Sequence, residues 1–159
     1  MASTNEKEPL FARVSHHFEQ PRERVFDAWI DPALLHRWLS IASEGKYPGK
    51  LGSIQVDARP GGTFTFTYHR EGGDIAQKGE YLEVTRPAHL SFTWAMALPD
   101  IERVVIDFAP APHGCEVTIT HVMDPGWTGD ISPVAAAWGG ALAAIDMTLR
   151  DDAKRTTPG

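Results

Sequence analysis

Apolar and polar residues alternate in one segment after another through the middle of the chain. In the clearest segment, Phe64, Phe66 and Tyr68 share one face and threonines occupy the other. A period of two is the spacing of a β-strand with one buried face. Short turns, among them Pro60–Gly62 and 71–74, separate successive segments, and such turns join antiparallel neighbours. The sequence therefore predicts an antiparallel meander with one apolar face.

Helical patterns flank this meander. A first strand, residues 10–18, is followed by a helix for which Pro21 suits the first turn, and Asp31-Pro32 offers a cap and a first-turn proline for a second short helix. The glycine-rich stretch 43–52 is predicted to be a loop. Ser132-Pro133 opens a long C-terminal helix. We predict an α+β fold in which a curved antiparallel sheet of about six to seven strands wraps around that helix.

The bulk properties limit the classes of partner. The 159 residues fit one domain, 10–150, between polar tails at 1–9 and 151–159 that we expect to be disordered. A net charge of −6 without a basic run argues against nucleic acid. No signal peptide precedes the first strand, and no segment approaches the ~20 apolar residues of a membrane span. The lone Cys115 fits a reducing compartment, so we expect a cytoplasmic protein, with exposed sheet edges that permit a homodimer.

The aromatic faces of several predicted strands point in one direction. A helix across a deeply curved sheet cannot fill every gap, and apolar binding sites commonly measure ~300–1,000 Å³. We therefore expect a hydrophobic cavity that binds an apolar or aromatic small molecule, with ordinary core packing of the same rings as the alternative. The predicted lining residues are Trp29, Trp38, Phe64, Phe66, Tyr68, Phe92, Trp94, Ile106, Phe108, Ile119, His121, Trp138, Leu142 and Ile145.

No arrangement of residues typical of catalysis is evident. The weak candidates for an acid or base are His16, His121, Glu80 and Tyr68. The two histidines share the parity of apolar neighbours, and the alternative for each is a buried, hydrogen-bonded structural residue. Glu80 lies on a strand, about 75–84, whose faces the pattern does not assign. No cluster has the spacing of metal ligands, so neither a metal nor a cofactor is expected.

Six segments, taken in order, resemble the heat-shock ATPase activator homologue family, a branch of the START-like (SRPBCC) helix-grip superfamily. They are residues 25–32 (VFDAWIDP), 35–39 (LHRWL), 57–64 (DARPGGTF), 79–84 (GEYLEV), 90–94 (LSFTW) and 138–142 (WGGAL). The resemblance implies a helix-grip fold and a single START-like domain at 10–150. The link 124–133 looks longer than is usual in the family, which would allow Trp127 to cover the mouth of a pocket.

Three functions are compatible with this resemblance. The first is binding of an apolar small molecule, including a role in a stress response. The second is a START-like enzyme of cyclase, hydrolase or lyase type that uses the cavity histidines, glutamate or tyrosine. The third is a protein that modulates a chaperone ATPase.

Overall fold

The computed structural model describes residues 10–44, 49–95, 102–124, 127 and 129–156, without the side chains of 154–156. Part of the link 124–133 lies outside the described residues. The elements are, in chain order, β1 (Phe11–Phe18), α1 (Arg22–Asp27), α2 (Pro32–Ser43), β2 (Lys50–Val56), β3 (Thr63–His69), β4 (Ile75–Thr85), β5 (His89–Trp94), β6 (Glu102–Ala111), β7 (Gly114–Val122) and α3 (Ser132–Thr156).

The strands form one curved, seven-stranded sheet in the order β1-β7-β6-β5-β4-β3-β2, and every neighbouring pair is antiparallel. Strands β2 to β7 form the predicted meander, and β1 joins it by pairing with β7. At the two edges of the sheet, α3 packs on β1 and α2 packs on β2, while α2 and α3 contact each other. This confirms the predicted α+β helix-grip fold.

The predicted start of α2 is confirmed in detail. The carboxylate of Asp31 accepts hydrogen bonds from the backbone N–H groups of Ala33 and Leu34, and Pro32 occupies the first turn. One turn later, the Trp38 indole N–H donates to the carbonyl of Ala28 at 2.7 Å. This bond fixes the angle between α2 and the end of α1.

The loop predicted at 43–52 is wrong at both of its ends. Ser43 ends α2, and Lys50, Leu51 and Gly52 belong to β2. Gly52 is a strand residue because the His69 ring of β3 packs over it: a Cβ there would lie 2.3 Å from His69 Nε2. A glycine under a neighbouring ring cannot be distinguished by sequence from a glycine in a loop.

The disordered tail predicted at 151–159 is wrong over its first six residues, because α3 continues through Thr156. Ion pairs from the two preceding helices hold this last part. Arg24 of α1 contacts Asp152 at 3.1 Å, and Arg37 of α2 contacts Asp151 at 3.1 Å and Asp152 at 3.3 Å. The extension depends on side chains more than 110 positions away in sequence, so local polarity alone gave the wrong end.

Strand β4 has an irregularity that explains why its faces could not be assigned. Its register with β5 shifts between Tyr81 and Glu83. Gln77 and Tyr81 are buried with inward parity, whereas Leu82 is 40% exposed. The bulge after Tyr81 changes the parity of the residues that follow it. Glu80 alternates with Tyr81 before the bulge and lies on the exposed face.

Candidate functional site

Eight aromatic side chains form a continuous set of ring contacts in the interior, here called the aromatic cluster. Its members are Trp29, Trp38, Phe64, Phe66, Tyr81, Phe92, Trp94 and Trp138. Trp29 contacts Trp38 with ring centroids 5.0 Å apart, and Trp138 contacts Trp94 at 5.1 Å. Phe64 lies at the centre and contacts the rings contributed by β3, β4 and β5.

The aromatic cluster encloses very little empty space. The cavity between its rings and Leu35 measures about 10 Å³, enough for roughly one water molecule. Among the described residues, the interior thus holds no open cavity of the expected ligand size. Because α3 packs mainly on α2 and β1, and α2 on β2, long side chains rather than a helix backbone fill the region over β3–β5.

One member of the aromatic cluster reaches the surface. Trp94, the last residue of β5, is half-buried, whereas the other seven rings are buried. It pairs with Glu102 at the start of β6 and contacts Trp138 on α3. The accessible side of the cluster is therefore the corner where β5 ends, β6 begins and α3 passes over them.

A chain of hydrogen bonds holds Trp138 at this corner. Its indole N–H donates to His121 Nδ1 at 2.8 Å, and His121 Nε2 lies 2.7 Å from Glu102 Oε1. Because an indole nitrogen only donates, Nδ1 is the acceptor and Nε2–H donates to the carboxylate. The other oxygen of Glu102 accepts from the backbone N–H of Asp124 at 3.0 Å. Both nitrogens of His121 are thus occupied, as expected for a structural histidine.

The four weak catalytic candidates do not meet at one point. His16 pairs with Asp146 of α3 at 2.8 Å, and its position on the β1–β7 ladder is four residues, about 13 Å, from that of His121. Glu80 is exposed. Burial raises the pKa of Tyr68 to about 12, so its hydroxyl stays protonated near neutral pH. His16 and His121 therefore do not share a reaction centre, and Glu80 lies on the exposed face.

The predicted lining residues separate into two groups. Trp29, Trp38, Phe64, Phe66, Phe92 and Trp94 line the small cavity, and Trp138 packs against two of them. His121 contacts this group only through Trp138. The others are buried in the core away from that cavity: Tyr68, Ile106, Phe108, Ile119, Leu142 and Ile145.

Sequence reasoning missed two lining residues, Leu35 and Tyr81. Tyr81 was hidden because the inward positions before it on β4 are Gln77 and Gly79, which break the apolar pattern. Burial, and secondarily the charge of Asp57, raise the pKa of Tyr81, so its hydroxyl is a neutral polar group. The only signal in the sequence was that Tyr81 is an aromatic residue on a strand whose buried face could not be assigned.

Metal-ligand residues, the Asp57–Arg59 ion pair and the cysteine of the described residues carry no sign of a site. No group of three or more His, Cys, Asp or Glu side chains within them could hold a metal ion. Asp57 and Arg59 form an exposed ion pair at 2.9 Å. Cys115 is buried, and burial raises its pKa to about 11, so it stays a thiol. In the described part of the chain, no helix is long and apolar enough to cross a membrane.

Comparison with protein families now identifies the chain's relatives. Residues 19–150 match the model of the family described as Activator of Hsp90 ATPase homolog 1-like protein. The chain belongs to this family. The resemblance seen in the sequence is thereby confirmed, and the fold agrees with the START-like superfamily.

Several solved structures have the same fold as this chain. A protein from Nitrosomonas europaea is 22% identical, with 91% of this chain and 97% of that chain covered and a TM-score of 0.75. A Rhodobacter sphaeroides protein is 18% identical, with 93% and 96% covered and a TM-score of 0.77. An AHSA1-like protein from Aeromonas hydrophila is 22% identical, with 94% and 99% covered and a TM-score of 0.72. These likenesses show the fold alone, and no curated protein matches the chain.

Proposed function

We propose that this family member binds a small apolar molecule with an aromatic portion within the aromatic cluster. The observation that carries the proposal is the continuous contact of eight rings, seven of them buried and one, Trp94, half-buried at the surface. A ligand that first contacts Trp94 at the surface could then reach the buried rings, because each ring contacts the next. Apolar walls with few polar groups are the usual lining of small-molecule sites.

The closed cavity of about 10 Å³ sets how binding would occur. A ligand must replace some ring–ring contacts with ring–ligand contacts. The apolar surface stays buried during this exchange, because an aromatic ligand contacts the rings in the same way as the rings contact one another. The region over β3–β5 suits such a rearrangement because side chains fill it, so rings can turn without moving a packed helix.

The alternative of an enzyme has less support. An acid–base mechanism needs a candidate group within hydrogen-bond reach of the reacting atoms. His121 is used by Trp138 and Glu102, His16 lies by Asp146, and Glu80 faces outward. Binding therefore accounts for the site more directly than catalysis.

The proposal is tested by titrating acetophenone into the wild type and two matched variants, Phe92→Leu and Phe108→Leu. Both phenylalanines are buried, but only Phe92 lines the cavity, while Phe108 packs on Phe26. We expect saturable binding, weakened about tenfold by Phe92→Leu and unchanged by Phe108→Leu. Absence of saturable binding, or equal effects of the two substitutions, would contradict it.

A further inference from the structure

We propose that the molecule bound by the aromatic cluster is neutral and carries a hydrogen-bond-accepting oxygen, which accepts from the indole N–H of Trp29. This inference rests on the proposed function and adds the chemical class of ligand. It starts from one buried polar atom that has no hydrogen-bond partner in the described part of the chain.

Trp29 Nε1 is buried and makes no hydrogen bond to any residue that the structure describes. The side chain as a whole is 5% exposed and belongs to the cavity lining. Two other indoles of the aromatic cluster are satisfied: Trp38 donates to the Ala28 carbonyl and Trp138 to His121. Arg24 Nε and Thr148 Oγ1 are also buried without partners, but they lie on α1 and α3 outside the cavity lining.

An unpaired buried donor is unusual because native proteins satisfy nearly all such groups. Burial without a partner has a free-energy cost that an accepting ligand atom would remove. A water molecule could supply the same oxygen in a cavity this small. A ligand oxygen that takes the position of such a water would regain its hydrogen bond.

The surroundings determine the charge of the ligand. The other lining side chains are Leu35, Trp38, Phe64, Phe66, Phe92, Trp94 and the neutral Tyr81. None of them can balance a carboxylate, and burying an unpaired negative charge is strongly unfavourable. An ammonium group could lie on the ring faces, but it has no lone pair to accept from the Trp29 N–H. A ketone, ester or ether on an aromatic or apolar body meets both requirements.

The test compares acetophenone with α-methylstyrene, in which a methylene group replaces the carbonyl oxygen at nearly the same shape. We expect the wild type to bind acetophenone about tenfold more tightly. In ¹H–¹⁵N spectra, the Trp29 indole proton should lie further downfield with acetophenone bound than with α-methylstyrene bound, because the phenyl rings of the two probes shift it alike and only the carbonyl accepts from it. Trp29→Phe should remove the preference but still bind α-methylstyrene, whereas Trp38→Phe, whose lost N–H points to Ala28, should keep the preference.

The outcomes separate the two proposals. Equal affinity of both probes for the wild type, or a preference that survives Trp29→Phe, overturns the role of Trp29 while leaving ligand binding in place. If only water pairs with Trp29, the two probes bind equally, which is the same contradiction. If neither probe binds, the proposed function fails and this inference with it. The wild-type comparison and the spectrum need no variant to fold.

Discussion

Gly79 shows how closely the rings of the aromatic cluster approach the sheet. A Cβ at this position would lie 2.3 Å from Phe64 Cζ and 2.1 Å from the carbonyl oxygen of Thr93. The absence of a side chain allows the Phe64 ring to lie directly on β4. This small residue on a strand is therefore part of how the cluster is packed.

Gly79→Ala is expected to lower the free energy of unfolding by about 1–3 kcal/mol, because the new methyl group forces Phe64 and β5 to shift. Gly140→Ala is the matched control. It lies on α3 with open space around its Cβ and should raise stability by about 0.5–1 kcal/mol through helix propensity. Urea denaturation measures both. A stable Gly79→Ala protein would show that Phe64 does not need this close approach.

Glu102 is expected to support Trp138 through His121. Glu102→Ala leaves the buried His121 Nε2–H without its acceptor and should cost about 1–3 kcal/mol of unfolding free energy. Glu102→Gln keeps an accepting oxygen for the His121 Nε2–H but replaces the oxygen that the Asp124 N–H uses, so it should lose stability by less than Glu102→Ala. The Trp138 indole resonance should move in the alanine variant. Identical stabilities for the two variants would mean that the hydrogen-bond chain does not hold the corner.

Ion pairs with α1 and α2 hold the C-terminal part of helix α3. Hydrogen bonds from Arg24 and then Arg37 outweigh desolvation and hold the pKa of Asp152 below its ordinary value. For Asp146, desolvation acts to raise the pKa, but hydrogen bonds from His16 and Arg150 outweigh it and lower the pKa. Groups with a lowered pKa in the folded state stabilise it at neutral pH and lose that effect on acidification.

Acidification is therefore expected to weaken the wild type in a defined way. Stability contributed by Asp152 is complete above the unfolded pKa of about 3.9 and is lost as the pH falls through the lower folded value. Asp152→Asn should be less stable than the wild type at pH 6, and the two unfolding free energies should converge near about pH 2. Parallel curves across this range would contradict the ion-pair account of the helix end.

Strands β4, β5 and β6 share a titrating group on the exposed side of the sheet. His89 Nδ1 lies 2.7 Å from Asp107, and its Nε2 lies 3.0 Å from Glu83. Desolvation acts to lower the pKa of His89, but the hydrogen bonds to Asp107 and Glu83 outweigh it and raise the pKa. A group whose pKa is higher in the folded state stabilises that state at pH values below its unfolded pKa. This stabilisation is lost as the pH rises through the folded pKa.

His89→Gln should accordingly flatten the pH dependence of stability on the alkaline side. The contribution of His89 to the unfolding free energy of the wild type is expected to decline as the pH rises above the unfolded value of about 6.5 and through the higher folded pKa. The variant should lack this part of the decline and approach the wild type once the pH has passed the folded pKa. A wild-type curve that is flat or rising over this range would contradict the prediction.

For the whole molecule, the sequence predicted what depends on local pattern. Alternation identified β3, β5, β6 and β7, and Asp31-Pro32 and Ser132-Pro133 identified the starts of α2 and α3. It did not predict the bulge in β4 or the end of α3. Those features depend on pairing with β5 and on arginines from other helices, and neither leaves a periodic signal.

In the candidate site, too, the sequence predicted what depends on local pattern and not what depends on contacts between elements. The inward faces of Phe64, Phe66 and Phe92 could be predicted because parity fixes them. Whether the rings surround a cavity or fill it depends on the curvature of the sheet and the approach of α2. Those are distances between elements, which the sequence pattern does not contain, and in the structure the rings fill most of the space.

The central claim is that the aromatic cluster opens to hold a ligand. Isotope-filtered nuclear Overhauser measurements on the wild type saturated with acetophenone test it most directly. The account predicts cross-peaks from the acetophenone protons to the rings of Trp29, Phe92 and Trp94, and none to Phe26 or Phe108 in the separate part of the core. Cross-peaks only to surface side chains, or none at saturating acetophenone, would contradict it.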